Sequence, residues 1–279
     1  MLRSRVPPEA RFVRSWAAVA FVLLALLPWR ATTAGDTVSY EVGRETVRAY
    51  LARPSKATGS SASLAPADVP GLVVLHEMWG LNDQIMGVAD RLSRLGYVAI
   101  APDMYRGRLG ADPGLAQDMM RALNEDRAVS IAKGAIDYLR RLDNASGRPV
   151  GTVGFGMGGR ISLATALQGA NVQATVIFYG KVETTREALA PIKAPILGIF
   201  AGRDAVIPKD DVNKFEAALK ASGKDALIVL NEGLGHGFMN EERADFEPEF
   251  SKDSWIRLRK WLGAKLMPGV PEEPAPAEQ

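Results

Sequence analysis

Apolar positions change their period several times along the 279-residue chain, and the changes mark out elements. TVSYEV and ETVRAYLARP alternate apolar and polar residues, the two-residue period of half-buried strands, and read as an antiparallel hairpin. The stretch SKATGSSASLAPADVP, Ser55 to Pro70, is a polar, small-residue loop. GLVVLHE, Gly71 to Glu77, is instead a continuous apolar run, as expected of a strand covered on both faces. Strand-like and helix-like segments then take turns. A helix over about Asp83 to Leu95 leads to the strand YVAIAPD, and a longer helix spans Asp126 to Leu142. RPVGTVGF, a helix opening near Met157, and ATVIFYG, Ala174 to Gly180, come next. PILGIFAGRD, a helix over Lys209 to Ala221, ALIVLNE and a helix over about Pro248 to Leu266 complete the series. This alternation predicts the α/β class: a doubly wound, mostly parallel sheet in a three-layer αβα sandwich.

The two ends fall outside that pattern. Arg3, Arg5, Arg11 and Arg14 precede the apolar run from Trp16 to Trp29, and ATTAGD follows with Thr32 and Ala34 at the −3 and −1 positions of a cleavage site. Residues 1–34 therefore read as a secretory signal, and the protein is expected to be periplasmic or secreted. Retention of the run as an anchor is the alternative, but it is short for a span of roughly 20 residues. Residues 35–267 form the domain, and 268–279 are a Pro/Glu-rich tail expected to be disordered.

Charge changes meaning once the signal is set aside. Residues 1–34 carry five Arg and one Glu, an excess of four positive charges, so the formal charge falls from +2 to −2 without them. Neither a nucleic-acid partner nor, after cleavage, a membrane partner is implied. The absence of cysteine excludes disulfides, a thiolate nucleophile and Cys-ligated metal. No cofactor or metal is expected; a monomer acting on or binding a small molecule is.

In an open parallel sheet, functional residues gather in loops at the carboxyl ends of strands. HEMWG, PDMYRGR, GFGMGG, GRD and LGHGF occupy such positions. VGFGMGGR, Val153 to Arg160, has the form of a nucleophile elbow, in which small residues flank a nucleophile on a sharp strand-to-helix turn. Gly154 and Gly158 fill the flanks, but Gly156 stands where the nucleophile belongs. Asp204 in AGRDAVIP and His236 in GLGHGFMN then follow in the order nucleophile, acid, histidine that α/β-hydrolases use. Ser162, inside the helix after the elbow, is expected to point elsewhere. His76 adjoins Glu77, and strand alternation turns it to the opposite side, as a structural histidine.

The chain resembles the dienelactone hydrolase family. The resemblance spans about Tyr40 to Leu266 and is carried by VVLHEMWGLN, GYVAIAPDMYRGR, VGFGMGGR, AGRDAVIP, GLGHGFMNE and the closing DSWIRLRKWL. It implies His236 as general base, Asp204 as the group orienting it, and Glu77 as the carboxylate that helps activate a nucleophilic thiol. It also implies an oxyanion hole from the N–H groups of Met78 and Met157. Two positions depart from the family: Gly156 replaces the Cys or Ser, and Asn240 stands where an Arg follows the histidine by four positions. Met78, Trp79, Met157 and Phe238 would wall a pocket, and Arg106 or Arg108 would meet a substrate carboxylate.

Acyl transfer through a covalent intermediate needs an attacking atom, and Gly156 has none. Three readings remain: an exported hydrolase of small carboxylic esters or lactones with atypical, weak turnover by water attack; an inactive pseudoenzyme that binds a small ligand; and a lyase or isomerase using His236 as base.

Overall fold

The computed structural model of the chain describes residues 35–54, 68–145 and 147–269. The expected signal, 1–34, and all of the expected 268–279 tail except Pro268 and Gly269 lie outside the described residues, as does most of the Ser55–Pro70 loop. Among the described residues eight strands form one sheet: β1 (Asp36–Val42), β2 (Glu45–Ala52), β3 (Gly71–Leu75), β4 (Val98–Pro102), β5 (Val150–Phe155), β6 (Ala174–Phe178), β7 (Ile196–Ala201) and β8 (Ala226–Asn231). Their order across the sheet is β1-β2-β4-β3-β5-β6-β7-β8. β1 pairs with β2, and β2 with β4, antiparallel; every other pair is parallel. The α/β, doubly wound, mostly parallel expectation holds.

The apolar runs explain which strands are central. β3, β4, β5, β6 and β7 are buried at every residue, so each must be apolar on both faces. β8, at the edge, is exposed or half-buried throughout. On one face α1 (Asp83–Arg94) packs with Ile85, Val88, Ala89 and Leu92, in a cluster shared with Trp255, Leu258, Leu262 and Leu266 of the closing helix Pro248–Leu266. Each fully buried leucine there stabilises the layer by about 1.5–3 kcal/mol. On the other face α3 (Glu125–Arg141) presents an alanine-rich stripe, and α4 (Met157–Leu167) contributes Ile161 and Ala164.

Between α1 and α3 lies α2 (Pro113–Ala122), an element the apolar period does not reveal, because only Ala116 and Met119 are buried in it. Its signal is at the terminus instead. Asp112 accepts from the Leu115 N–H at 2.9 Å and Pro113 opens the helix. α5 (Arg186–Leu189) is one short turn, α6 is Lys209–Ala221 and α7 the closing Pro248–Leu266.

The topology sets the location of the site. The chain runs from β3 outward to β4, then returns to β5 on the other side of β3. Connections leave in opposite directions at the carboxyl ends of β3 and β5, which opens a crevice between them. Glu77 follows β3 and Gly156 follows β5, so adjacent strands carry both to that crevice.

Candidate active site

The β5–α4 turn is as sharp as the motif requires. A Cβ on Gly154 would lie 2.0 Å from the Gly158 carbonyl oxygen, and one on Gly158 would lie 2.0 Å from the Leu75 carbonyl oxygen. Neither position tolerates any side chain. Gly156 differs. Its backbone, at φ 53° and ψ −114°, favours glycine, yet a Cβ there would meet only ordinary contacts. These are Glu77 Cγ and His236 Nε2 at 3.8 Å and Tyr179 Cε2 at 3.9 Å. Space for a side chain therefore exists above Gly156, and it is lined by a carboxylate, an imidazole and a phenol ring.

His236 and Asp204 meet across the loops after β8 and β7. The Gly202 N–H donates to the Asn231 carbonyl at 2.8 Å, and the Arg203 N–H to that of Leu234 at 2.9 Å, which ties the two loops together. Asp204 Oδ1 accepts from the Val206 and Ile207 N–H groups at 2.7 and 2.9 Å, leaving Oδ2 for His236 Nδ1 at 2.8 Å. The carboxylate is 1% exposed and cannot turn away; the imidazole is 24% exposed, so solvent reaches it. With Nδ1 given to Asp204, Nε2 is the nitrogen facing Gly156.

Glu77 is held just as firmly. Its Oε1 accepts from the Tyr179 hydroxyl at 2.7 Å and its Oε2 from Asn240 Nδ2 at 3.2 Å. The Asn240 amide is oriented in turn, because its Oδ1 accepts from the Glu242 N–H at 3.0 Å. Asn240 thus has a partner in the site where the resemblance leads one to look for an Arg. Nothing in the local sequence marks Tyr179 as a site residue. It follows β6 directly, at the carboxyl end of a central strand. Burial, with Glu77 adding to it, pushes its hydroxyl well above the usual tyrosine range. Its ring lies edge-on to His236 at 5.1 Å and to Phe238 at 5.3 Å.

Other candidates are not drawn together. His76 points into the core, as strand alternation implied: its Nδ1 donates to the Glu77 carbonyl at 2.7 Å and its Nε2 accepts from the Met104 N–H at 3.1 Å. Burial pushes it down to about 4, so it is neutral near pH 7. Ser162 is fully buried and shares a 2.8 Å hydrogen bond with Thr152. Phe238 is 0% exposed, with its ring edge-on against Tyr179. Arg106 is taken by Glu45 of the first hairpin at 2.9 Å, and Arg108 is exposed. Neither makes a hydrogen bond or ion pair to a site residue among the described residues. Met78, Trp79 and Met157 are half-buried beside the site, and the Arg243 guanidinium lies 5.9 Å from the Trp79 ring centre. Neither the Met78 nor the Met157 N–H donates to a protein acceptor among the described residues.

Comparison with known proteins bears on what such a site is for. A family model described as the dienelactone hydrolase family matches residues 47–266. Protein usf of Aquifex pyrophilus is 32% identical over 229 residues, which cover 79% of this chain and 94% of that protein. The solved structure named m3DLH is similar with a TM-score of 0.72 at 24% identity, covering 83% of this chain and 98% of its own. The crystal structure of a dienelactone hydrolase from Anabaena variabilis is similar with a TM-score of 0.62 at 22% identity, over the same shares of the two chains. At those identities the two structures bear on the fold alone.

Proposed function

This chain belongs to the dienelactone hydrolase family, and from that premise we propose that it hydrolyses small carboxylic esters or lactones by direct attack of water. The observation that carries the reading is the position of His236 Nε2, 3.8 Å from where a Cβ of residue 156 would stand, with Asp204 fixed behind the ring. A water above Gly156 would give its proton to Nε2 as its oxygen attacks the substrate carbonyl. The resulting oxyanion would be met by the Met78 and Met157 N–H groups, a type of stabilisation that is often the largest single contribution to rate. Collapse of the tetrahedral species returns the proton from His236 to the departing alkoxide. No acyl-enzyme forms. Turnover is accordingly weak, on the scale of the roughly 10³–10⁴-fold acceleration that hydrolases retain after loss of a triad member.

The basic start, short apolar run and small-residue exit of residues 1–34 support export to the periplasm or beyond. A second reading, a ligand-binding protein without turnover, is favoured by one feature only, the missing attacking atom at Gly156. Hydrolysis of an activated ester and several lactones by the natural chain, His236→Ala and Gly156→Cys separates the two. The water route requires His236→Ala to be at least about tenfold slower than the natural chain. Equal rates for the natural chain and His236→Ala, with activity gained in Gly156→Cys, establish the binding protein.

A further inference from the structure

We propose that Tyr179 is a positioning residue of this site, its hydroxyl pinning Glu77 and its ring bracing His236 so that both face the space above Gly156. The proposal rests on the reading of His236 as the base. Four observations converge on one side chain. The Tyr179 hydroxyl donates to Glu77 Oε1 at 2.7 Å. Its ring meets the His236 ring edge-on at 5.1 Å, with the planes at 65°. Its Cε2 stands 3.9 Å from the place a Cβ of residue 156 would take. Its backbone has φ 37°, a value that few residues other than glycine adopt.

Core packing alone does not account for this arrangement. A phenylalanine would fill the same volume without bringing a hydroxyl into a fully buried position, where it is costly unless bonded. The hydroxyl is matched to Glu77 alone among the described residues. The positive φ is a local cost that the surroundings must hold in place, and the Tyr179 N–H bond to the Ile199 carbonyl at 2.9 Å does so. Because burial keeps the phenol protonated, it remains a hydrogen-bond donor to Glu77. Glu77 cannot rotate while Tyr179 and Asn240 each hold one of its oxygens. Without the phenol hydroxyl it is free to swing about Asn240, and the polar lining above Gly156 is lost.

The test is a double-mutant comparison of ester hydrolysis with Tyr179→Phe, Glu77→Ala and both together. Phe keeps the ring against His236 and removes only the hydroxyl. If Tyr179 acts through Glu77, Tyr179→Phe lowers kcat roughly tenfold with KM within about twofold, and the double variant is no slower than Glu77→Ala. Native kcat in Tyr179→Phe, or losses that multiply in the double variant, overturn the proposal. The second arm repeats Tyr179→Phe in a Gly156→Cys background and reads the single-turnover rate of thiol acylation. The thiol supplies the attacking atom, so this arm stands whether or not the natural chain turns over. Slowing of acylation by roughly tenfold supports the positioning role, and an unchanged rate overturns it. A natural chain no faster than His236→Ala would count against the water route while leaving the thiol arm to decide on Tyr179.

Discussion

His236 Nδ1 lies 2.8 Å from Asp204 Oδ2, and this bond decides which face of the imidazole works. Asp204 needs Nδ1 to carry the proton, which leaves Nε2 as an acceptor toward Gly156. Asp204→Asn presents an amide N–H to Nδ1 and imposes the opposite tautomer. We expect kcat to fall by about as much as in His236→Ala, at least roughly tenfold, with little change in Tm, since the Asn oxygen still accepts from Val206 and Ile207. Parallel kinetics and thermal unfolding check both halves.

Gly156→Cys restores an attacking atom into space that exists. The backbone angle at residue 156 makes a side chain cost about 1–2 kcal/mol, a drop in Tm of about 2–8 °C for a domain of this size. Against that loss, a burst of product stoichiometric with enzyme should appear on mixing with an activated ester. A folded variant that gives no burst places the reactive centre elsewhere.

Gly154 and Gly158 carry the opposite expectation. Alanine at either would drive a Cβ to 2.0 Å from a carbonyl oxygen of the elbow or of β3, and backbone rather than a flexible side chain would have to move. Each Ala variant is expected to lose more than about 4 kcal/mol or to fail to fold, in contrast to Gly156→Ala. Urea unfolding of the three variants ranks them.

His76 gives the fold an acid limit. Burial lowers it from 6.5 to about 4, so the unfolded chain binds its proton first as pH falls. The stability it contributes is complete above pH 6.5 and is lost as pH falls towards 4, on the order of 3 kcal/mol in all. Unfolding free energies measured from pH 7 to pH 4 should show this decline. The decline should flatten in His76→Gln, which cannot titrate.

Most of the sheet could be read from the chain because its central strands are buried on both faces and so appear as unbroken apolar runs. Gly156 and Asp204 could be placed for a related reason, each following such a run closely, whereas His236 follows β8, an apolar run that lies exposed or half-buried at the sheet edge. Tyr179 could not, since it partners Glu77 from 102 residues away and its backbone angle leaves no mark in the local pattern. Asn240 departs from the arginine that the family resemblance implies. Only its contact with Glu77 Oε2 shows that a neutral amide holds that carboxylate. α2 escaped because two buried residues make too thin a stripe to register as helical, although Asp112 and Pro113 announce its start.

The steady-state rate of ester hydrolysis, compared between the natural chain and His236→Ala at pH 7, bears most directly on water attack assisted by His236. The natural chain should hydrolyse an activated ester at least about tenfold faster than His236→Ala and show no burst. Equal rates in the two proteins would contradict catalysis by His236 and leave the pocket above Gly156 as a binding site.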